Sequence, residues 1–399
     1  PSEQAILADT FPPRQRGMAF AIYGVAVVTA PAIGPTLGGW ITDNFSWRWI
    51  FFINIPVGIV SVILTSLVVE DPPYFVEERK RRSGKLRVDY WGIIFVAIGL
   101  GFLQILLDKG ERDDWFASNF IRMCGILAAA GLVLAIYWEL HEKDPVVDLS
   151  LLKERNFAVA AFLMFMVGVI LLGSTVLIPQ YVQLVMNYSA TQAGLVLSPG
   201  GLLVMGMLPF VGMLLGKVEA RWLIAVGLAI TSVALIHMAG FNTGMDYKHI
   251  AVARCYQAAG LAFLFVPINT AAYAFVPPNK NNAASGLINL ARNVGGSLGI
   301  SLVTTILDRR AQFHQSRLTE SATQLNPLFN QAVNSATRVF GPGRTGDGAY
   351  ALLMRQLQQQ ANTLSYIDCF YVMGLGFAIL VPLVFVMKKT KPGRAMAGH

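Results

Sequence analysis

Charged side chains are scarce in this sequence. Asp, Glu, Lys and Arg make up 14% of the 399 residues, against about a quarter of an ordinary soluble domain. The three cysteines, Cys124, Cys255 and Cys369, lack the paired spacing of a disulfide framework or a zinc site. HExxH and P-loop motifs are missing, and the five histidines are scattered. We therefore predict no enzyme activity, no metal and no cofactor.

Long apolar runs fill the sequence instead. Each of ten stretches is close to the length of about 20 residues that a helix needs to cross the hydrocarbon core of a bilayer. They are 18–40, 48–69, 90–107, 119–139, 157–179, 191–215, 222–240, 250–275, 284–307 and 365–387. The sequence therefore predicts an all-α, polytopic membrane protein with about ten spans in a lipid bilayer.

Basic residues are spread unevenly between these spans, and the net charge is +8. If the loop with Arg14 and Arg16 is cytoplasmic, alternation of sides also places the basic runs 79–87 and 388–394 in the cytoplasm. This distribution follows the positive-inside rule. The basic excess is therefore interpreted as an orientation signal, and nucleic-acid binding is not supported.

Two charged linkers, at 77–90 and 138–157, divide the spans into groups of two, two and six. Six-helix halves are typical of secondary transporters. We interpret the chain as three parts: the end of an N-terminal half at 1–76, a linker with two extra spans at 77–156, and a C-terminal half at 157–399. In the last part, 309–362 is a long outer segment, either a solvated, partly helical loop or a docking surface.

The first span contains the stretch APAIGPTLGGW, from Ala30 to Trp40. Ala26, Ala30, Gly34 and Gly38 recur at every fourth position, which predicts a smooth face for close helix contact. Prolines at two positions each remove a backbone hydrogen bond, so we expect a bend. The alternative is a generic tight contact. The candidate packing residues are Ala30, Pro31, Gly34, Pro35, Gly38 and Gly39.

Polar side chains inside spans are costly and often serve function. Arg292 is the main candidate for gating, and the alternative is a structural pairing that holds the two halves together. The further gating candidates beside it are Asn289, Asn293, Gly295, Gly296 and Gly299. A second set of candidates could line a substrate cavity: Gln180, Gln183, Arg254, Gln257 and Asn269. The alternatives are interhelical hydrogen bonds and, for Arg254, extension of the side chain to water. Asp43 and Asp108 lie at outer helix ends, where they cap helices or pair with Arg48 and Lys109.

Several motifs together resemble a known family. The residues from Gly34 to Gly39 match the GPxxGG signature on the fifth helix of drug antiporters in the major facilitator superfamily. Further similarity lies in TDNFSWRWIFFINIPVG, LQILLDKGERDDWF, WELHEKDPVVDLSLLKERNF and NLARNVGGSLG. The chain most resembles the fourteen-helix drug:proton antiporters of the EmrB type, and the resemblance extends over nearly its whole length.

This resemblance implies a major facilitator fold in which the ten spans correspond to helices five to fourteen. The pair at 90–139 would be two extra central helices, and we expect the first four helices, with any acid there that carries the coupling proton, to be absent. It further implies a multi-pass protein of the cell inner membrane that exchanges protons for small amphipathic substrates. A periplasmic adaptor and an outer-membrane channel would be its partners, with 109–117 and 309–362 nearest to them.

Two other functions stay open at this point. The fold does not fix the cargo, so the chain could instead export one specific metabolite or siderophore. From a different class, a non-transporting membrane scaffold or sensor would suit the long outer segment. A bent glycine helix and an intramembrane Arg292 would be unneeded in a scaffold.

Overall fold

A computed structural model describes residues 6–7, 10–12, 15–68, 89–142, 145–277, 280–323, 325–340 and 347–389. These residues form helices, and no strand occurs among them. The α-helices are α1 (Arg16–Asn44), α2 (Trp49–Phe52), α3 (Asn54–Val68), α4 (Tyr90–Lys109), α5 (Asn119–His141), α6 (Arg155–Leu184), α7 (Ala190–Leu214), α8 (Ala220–Met238), α9 (Tyr247–Tyr273), α10 (Asn281–Glu320), α11 (Pro327–Phe340) and α12 (Asp347–Leu380). The predicted all-α fold class is confirmed.

Nine helical segments among the described residues are long and apolar enough to cross a membrane. They coincide with nine of the ten predicted spans, and α2 and α3 together form the span Trp49–Leu67. The remaining prediction, 18–40, falls within α1, which is continuous for 29 residues through both of its prolines. The charged run 77–88 lies outside the described residues. The chain is a multi-pass membrane protein.

The hydrophobic core lies mainly among α6, α7, α8, α9, α10 and α12. Large side chains such as Phe157, Tyr181 and Phe370 are fully buried there. Helix α1 lies along α7 and also touches α9. Lipid is as apolar as these side chains, so the hydrophobic effect does not drive helices together inside a membrane, and close packing and polar contacts must hold them.

Helices α4 and α5 form a separate pair that touches α10. Two glycines face each other in this pair, and a Cβ added at Gly131 would lie 2.5 Å from the backbone nitrogen of Gly99. The N-terminus of α4 is capped by Asp89, which accepts hydrogen bonds from Gly92 N and from Trp138 Nε1 of α5. The pair is therefore joined by backbone contact at its middle and by a polar contact at one end.

The outer segment 309–362 is more helical than predicted. Helix α10 continues to Glu320, α11 occupies Pro327–Phe340, and α12 begins at Asp347. The physical reason is that the residues from Leu302 to Glu320 include no Gly or Pro, so the hydrogen-bond ladder of α10 continues past the apolar stretch. The outer segment therefore consists largely of helices that extend two of the spans.

Candidate functional site

The closest contact between α1 and α7 is made by backbone atoms. A Cβ added at Gly194 would lie 2.4 Å from the carbonyl oxygen of Pro35, and one added at Gly39 would lie 2.5 Å from that of Ala190. Only glycine permits such an approach. Thr36 Oγ1 and Ser198 Oγ share a hydrogen bond of 2.5 Å beside it. Close backbone packing at small residues and one hydrogen bond between side chains thus hold the two helices together.

The packed face of α1 differs from the predicted one. A Cβ added at Gly34 or Gly38 meets no described atom within 4 Å, and Ala26 is exposed. The contact uses Pro35 and Gly39, two of the six candidate packing residues, which lie one position beyond the predicted Gly34–Gly38 stripe. Both stripes have the same four-residue spacing, so spacing alone does not identify the one that faces α7. Ala30 and Pro31 belong to the α1 backbone, but their side chains lie outside the described part of the chain.

Asp43 reaches from the end of α1 to the first turn of α7. Its Oδ2 atom accepts hydrogen bonds from Thr191 Oγ1 at 2.6 Å and from Thr191 N at 2.9 Å. These bonds, the hydroxyl bond first, lower the pKa of Asp43. A carboxylate at a helix N-terminus is also stabilised by the helix dipole. Of the two alternatives for Asp43, helix capping is the one that the structure shows, and the helix is α7.

At the opposite end of α1, aromatic and aliphatic side chains make the contact. The rings of Phe20 and Tyr273 are stacked, with centroids 5.5 Å apart. A Cβ added at Gly24 would lie 3.1 Å from Leu208 Cδ1 of α7. Phe20 is buried and lies near the predicted cytoplasmic end. Helix α1 is therefore held at both ends, by polar contacts at one and apolar contacts at the other.

The glycines near Arg292 bring α10 against α6. A Cβ would lie 2.0 Å from Phe165 O if added at Gly295, and 2.3 Å from Val169 O if added at Gly299. Gly296 is similarly close to Leu172. The predicted close approach is therefore present, and it lies within the C-terminal half.

Arg292 itself donates from Nη2 to Asn289 Oδ1 of the same helix, at 2.9 Å. Arg292 is half-buried, whereas Asn293 is exposed. Because this bond is internal to α10, it does not join the two halves. The gating interpretation of Arg292 stays a prediction.

Arg254, Gln257 and Ser174 form a cluster inside the C-terminal half. Arg254 is 8% exposed and Gln257 is 0% exposed. Arg254 Nη1 donates to Gln257 Oε1 at 2.5 Å and to Ser174 Oγ of α6 at 3.3 Å. Arg254 therefore does not extend to water, as one alternative expected. Its stem packs against Gly200 of α7, where an added Cβ would lie 3.0 Å from Arg254 Cγ.

The other predicted cavity residues do not join this cluster. Asn269 is buried 15 positions further along α9, roughly 22 Å away, and donates to Phe265 O of its own helix at 2.8 Å. Gln180 is half-buried and Gln183 is exposed near the end of α6. Sequence reasoning missed Ser174 and Gly200, because a serine and a glycine in an apolar run carry no signal of their own.

Ion pairs tie together the ends of helices that the charge pattern places in the cytoplasm. Lys280 Nζ lies 2.6 Å from Asp148 Oδ2, and Lys388 Nζ lies 2.9 Å from Glu154 Oε1. Burial opposes ionisation of both acids, but hydrogen bonds outweigh it and lower the pKa of each, with the lysine bond largest. Glu154 also caps the N-terminus of α6. The start of α6 is thereby fastened to α10 and to the segment after α12.

A second polar cluster joins the outer extension of α10 to α12. Asp368 Oδ2 accepts from Arg310 Nε at 2.5 Å and from His314 Nε2 at 2.7 Å. Further out, Phe329, Tyr350 and Met354 line an apolar groove of about 540 Å³ between α11 and α12. Hydrogen bonds therefore join α10 to α12, and an apolar groove lies exposed between α11 and α12.

Comparison with known proteins gives consistent matches. The model of the Major Facilitator Superfamily matches residues 1–300. The chain is 34% identical over 389 residues to the Multidrug export protein EmrB of Escherichia coli (strain K12), covering 97% of this chain and 74% of that protein. EmrB of Haemophilus influenzae matches with the same identity and coverage. The Fatty acid resistance protein FarB of Neisseria gonorrhoeae is 32% identical over 388 residues, covering 97% of this chain and 75% of FarB.

Proposed function

Because the chain belongs to the major facilitator superfamily and, within it, to the EmrB-type proteins, we propose that it is a proton-driven exporter of amphipathic drugs in the cell inner membrane. The observation that carries this proposal is the similarity to EmrB over 97% of the chain. The name of that relative states multidrug export. No nucleotide-binding motif occurs in the sequence, so an ion gradient is the energy source that we propose.

Alternating access supplies the mechanism. It requires the two halves to separate on one side of the membrane at a time. The contact that must part on the outer side is the α1–α7 contact, with its Thr36–Ser198 and Asp43–Thr191 hydrogen bonds. Water can replace such hydrogen bonds at a small net cost, about 0.5–1.5 kcal/mol each. The outer contact is therefore well suited to open, while Phe20 and Tyr273 close the inner end.

The outer helices are the part of the protein that we propose as the docking surface for a periplasmic adaptor and, through it, an outer-membrane channel. Helices α10 and α12 project beyond the apolar spans, and the apolar groove beside Tyr350 and Met354 supports this proposal. Leu325 and Leu328 are 94% and 74% exposed there. Large exposed apolar side chains outside a membrane are typical of interaction sites.

Inverted membrane vesicles containing the protein test the proposed function. We expect a fluorescent amphipathic dye to accumulate when a proton gradient is imposed and to leave when an ionophore collapses the gradient. Vesicles from cells without the protein are the control. If several amphipathic dyes fail to accumulate although the protein is inserted, the proposal is wrong. In that case uptake of a single metabolite would favour the narrow exporter, and adaptor binding without any flux would favour a scaffold.

A further inference from the structure

Arg254 is a buried cation whose described partners are neutral. Gln257 Oε1 and Ser174 Oγ accept its hydrogen bonds, and no carboxylate of the described residues forms an ion pair with it. A buried charge is strongly disfavoured unless it is paired. The positive charge of Arg254 therefore destabilises the fold, because no negative charge among the described residues compensates it.

Two further donors in the same cluster have no acceptor. Arg254 Nε and Gln257 Nε2 are both buried and without a hydrogen-bond partner among the described residues. The two side chains are bonded to each other, so the vacant donors belong to one cluster. Guanidinium and amide donors side by side suit a group with two acceptor oxygens, above all a carboxylate.

The surroundings of this cluster are apolar and come from three helices. Ser174 lies on α6, Gly200 on α7, and Arg254 with Ala258 on α9. An added Cβ at Gly200 would lie 3.3 Å from Ala258 Cβ, so α7 closes over the cluster in this structure. All three helices belong to the C-terminal half, so a ligand would have to enter by a local separation of α7 or α6 from α9 within that half, in addition to the separation of the two halves that alternating access requires.

We propose that Arg254, Gln257 and Ser174 bind the anionic head group of a hydrophobic substrate, a carboxylate. This inference rests on the proposed function and deepens it, because it assigns a charge preference to the exporter. The head group would accept hydrogen bonds from Arg254 and Gln257, and the apolar body would lie among the helices. A cationic substrate would be repelled by the same cluster and must bind elsewhere.

Binding of three twelve-carbon amphipaths to the purified protein in lipid nanodiscs tests the assignment, since they differ only in the head group. They are dodecanoate, dodecanol and dodecyltrimethylammonium, measured against protein-free nanodiscs. Arg254→Gln should weaken dodecanoate binding about 10- to 100-fold and leave the other two amphipaths within about twofold. Arg122→Gln is the control, because Arg122 is exposed and bonds to backbone oxygens of Phe116 and Ala117.

Gln257→Glu is a second variant, which tests the site independently if Arg254→Gln does not fold. The new carboxylate would pair with Arg254 inside the protein, so dodecanoate binding should be lost while the thermal unfolding temperature is kept or raised. Unchanged dodecanoate binding in either variant, or an equal loss of all three amphipaths in both, would overturn the site. The proposed function fails separately, if the wild-type protein shows no proton-driven flux of any amphipath in the vesicle assay.

Discussion

Gly194→Ala is the sharpest test of the α1–α7 contact. The added Cβ would lie 2.4 Å from Pro35 O, whereas ordinary contacts are 3.4–4 Å. Helices α1 and α7 must therefore separate locally by about 1 Å to admit one methyl group. The separation would also stretch the neighbouring Thr36–Ser198 hydrogen bond, which is 2.5 Å long.

Overpacking sets the size of the effect and costs about 1–3 kcal/mol. The helix propensity gained by replacing a glycine is the same whether the contact is open or closed, because α7 is helical in both states. The population of the closed contact should therefore fall by about 5- to 150-fold. Gly206→Ala in the same helix is the matched control. It has the same gain in helix propensity, but its Cβ would meet no described atom within 4 Å.

Disulfide crosslinking measures this population directly. The substitutions Thr36→Cys and Ser198→Cys place two thiols across the contact, and Cys255→Ser removes the native cysteine that is not buried. We expect crosslinking to slow in Gly194→Ala and to stay unchanged in Gly206→Ala, with proton-driven dye export reduced in the first variant alone. Crosslinking and export at the wild-type rates in Gly194→Ala would refute the reasoning.

Three further predictions follow from other contacts. The bonds from Thr191 lower the pKa of Asp43, so its contribution to the α1–α7 contact is present above about pH 4 and is lost as the pH falls through the lowered value. Asp43→Asn should slow the same crosslinking at pH 7. The ratio of the wild-type rate to the Asp43→Asn rate cancels the loss of thiolate that both share in acid, and this ratio should fall to about one as the pH falls through the lowered pKa; a ratio that stays constant would contradict this. Burial raises the pKa of Asp148, but its hydrogen bonds, of which the bond from Lys280 is the largest, outweigh burial and lower it. Lys280→Met should therefore lower the unfolding temperature by roughly 1–3 °C at neutral pH. This difference should disappear as the pH falls through the lowered pKa, and a difference that persists in acid would exclude the ion pair as its cause. Gly99→Val should destabilise the α4–α5 pair by about 1–3 kcal/mol, whereas Gly101→Val, with open space around its Cβ, should leave the thermal unfolding midpoint nearly unchanged.

The spans were predictable because the requirement that defines them is local. A helix in lipid needs a continuous apolar stretch of sufficient length, and both properties can be counted along the sequence. The continuation of α10 to Glu320 was harder to predict. Helix formers without Gly or Pro extend a span into water as readily as they form a separate solvated helix, and the sequence alone does not distinguish the two.

The details of the site depend on which face of a helix meets a neighbour. On α1, the Gly34–Gly38 stripe and the Pro35–Gly39 stripe have equal spacing, and the position of Gly194 on α7 decides between them. For Arg254, the pairing with Gln257 was visible as a three-residue spacing, but its burial depends on the absence of a side chain at Gly200. Both outcomes depend on contacts between residues far apart in the sequence.

The length of α10 has a mechanical consequence. Its 40 residues make a rod of about 60 Å, roughly twice the thickness of the hydrocarbon core. A tilt of about 10° at one end displaces the other end by about 10 Å, so small movements inside the bilayer are amplified outside it. The bonds from Arg310 and His314 to Asp368 couple α12 to this lever arm. In the proposed transport cycle, a molecule bound to the outer helices would therefore be displaced together with the end of α10.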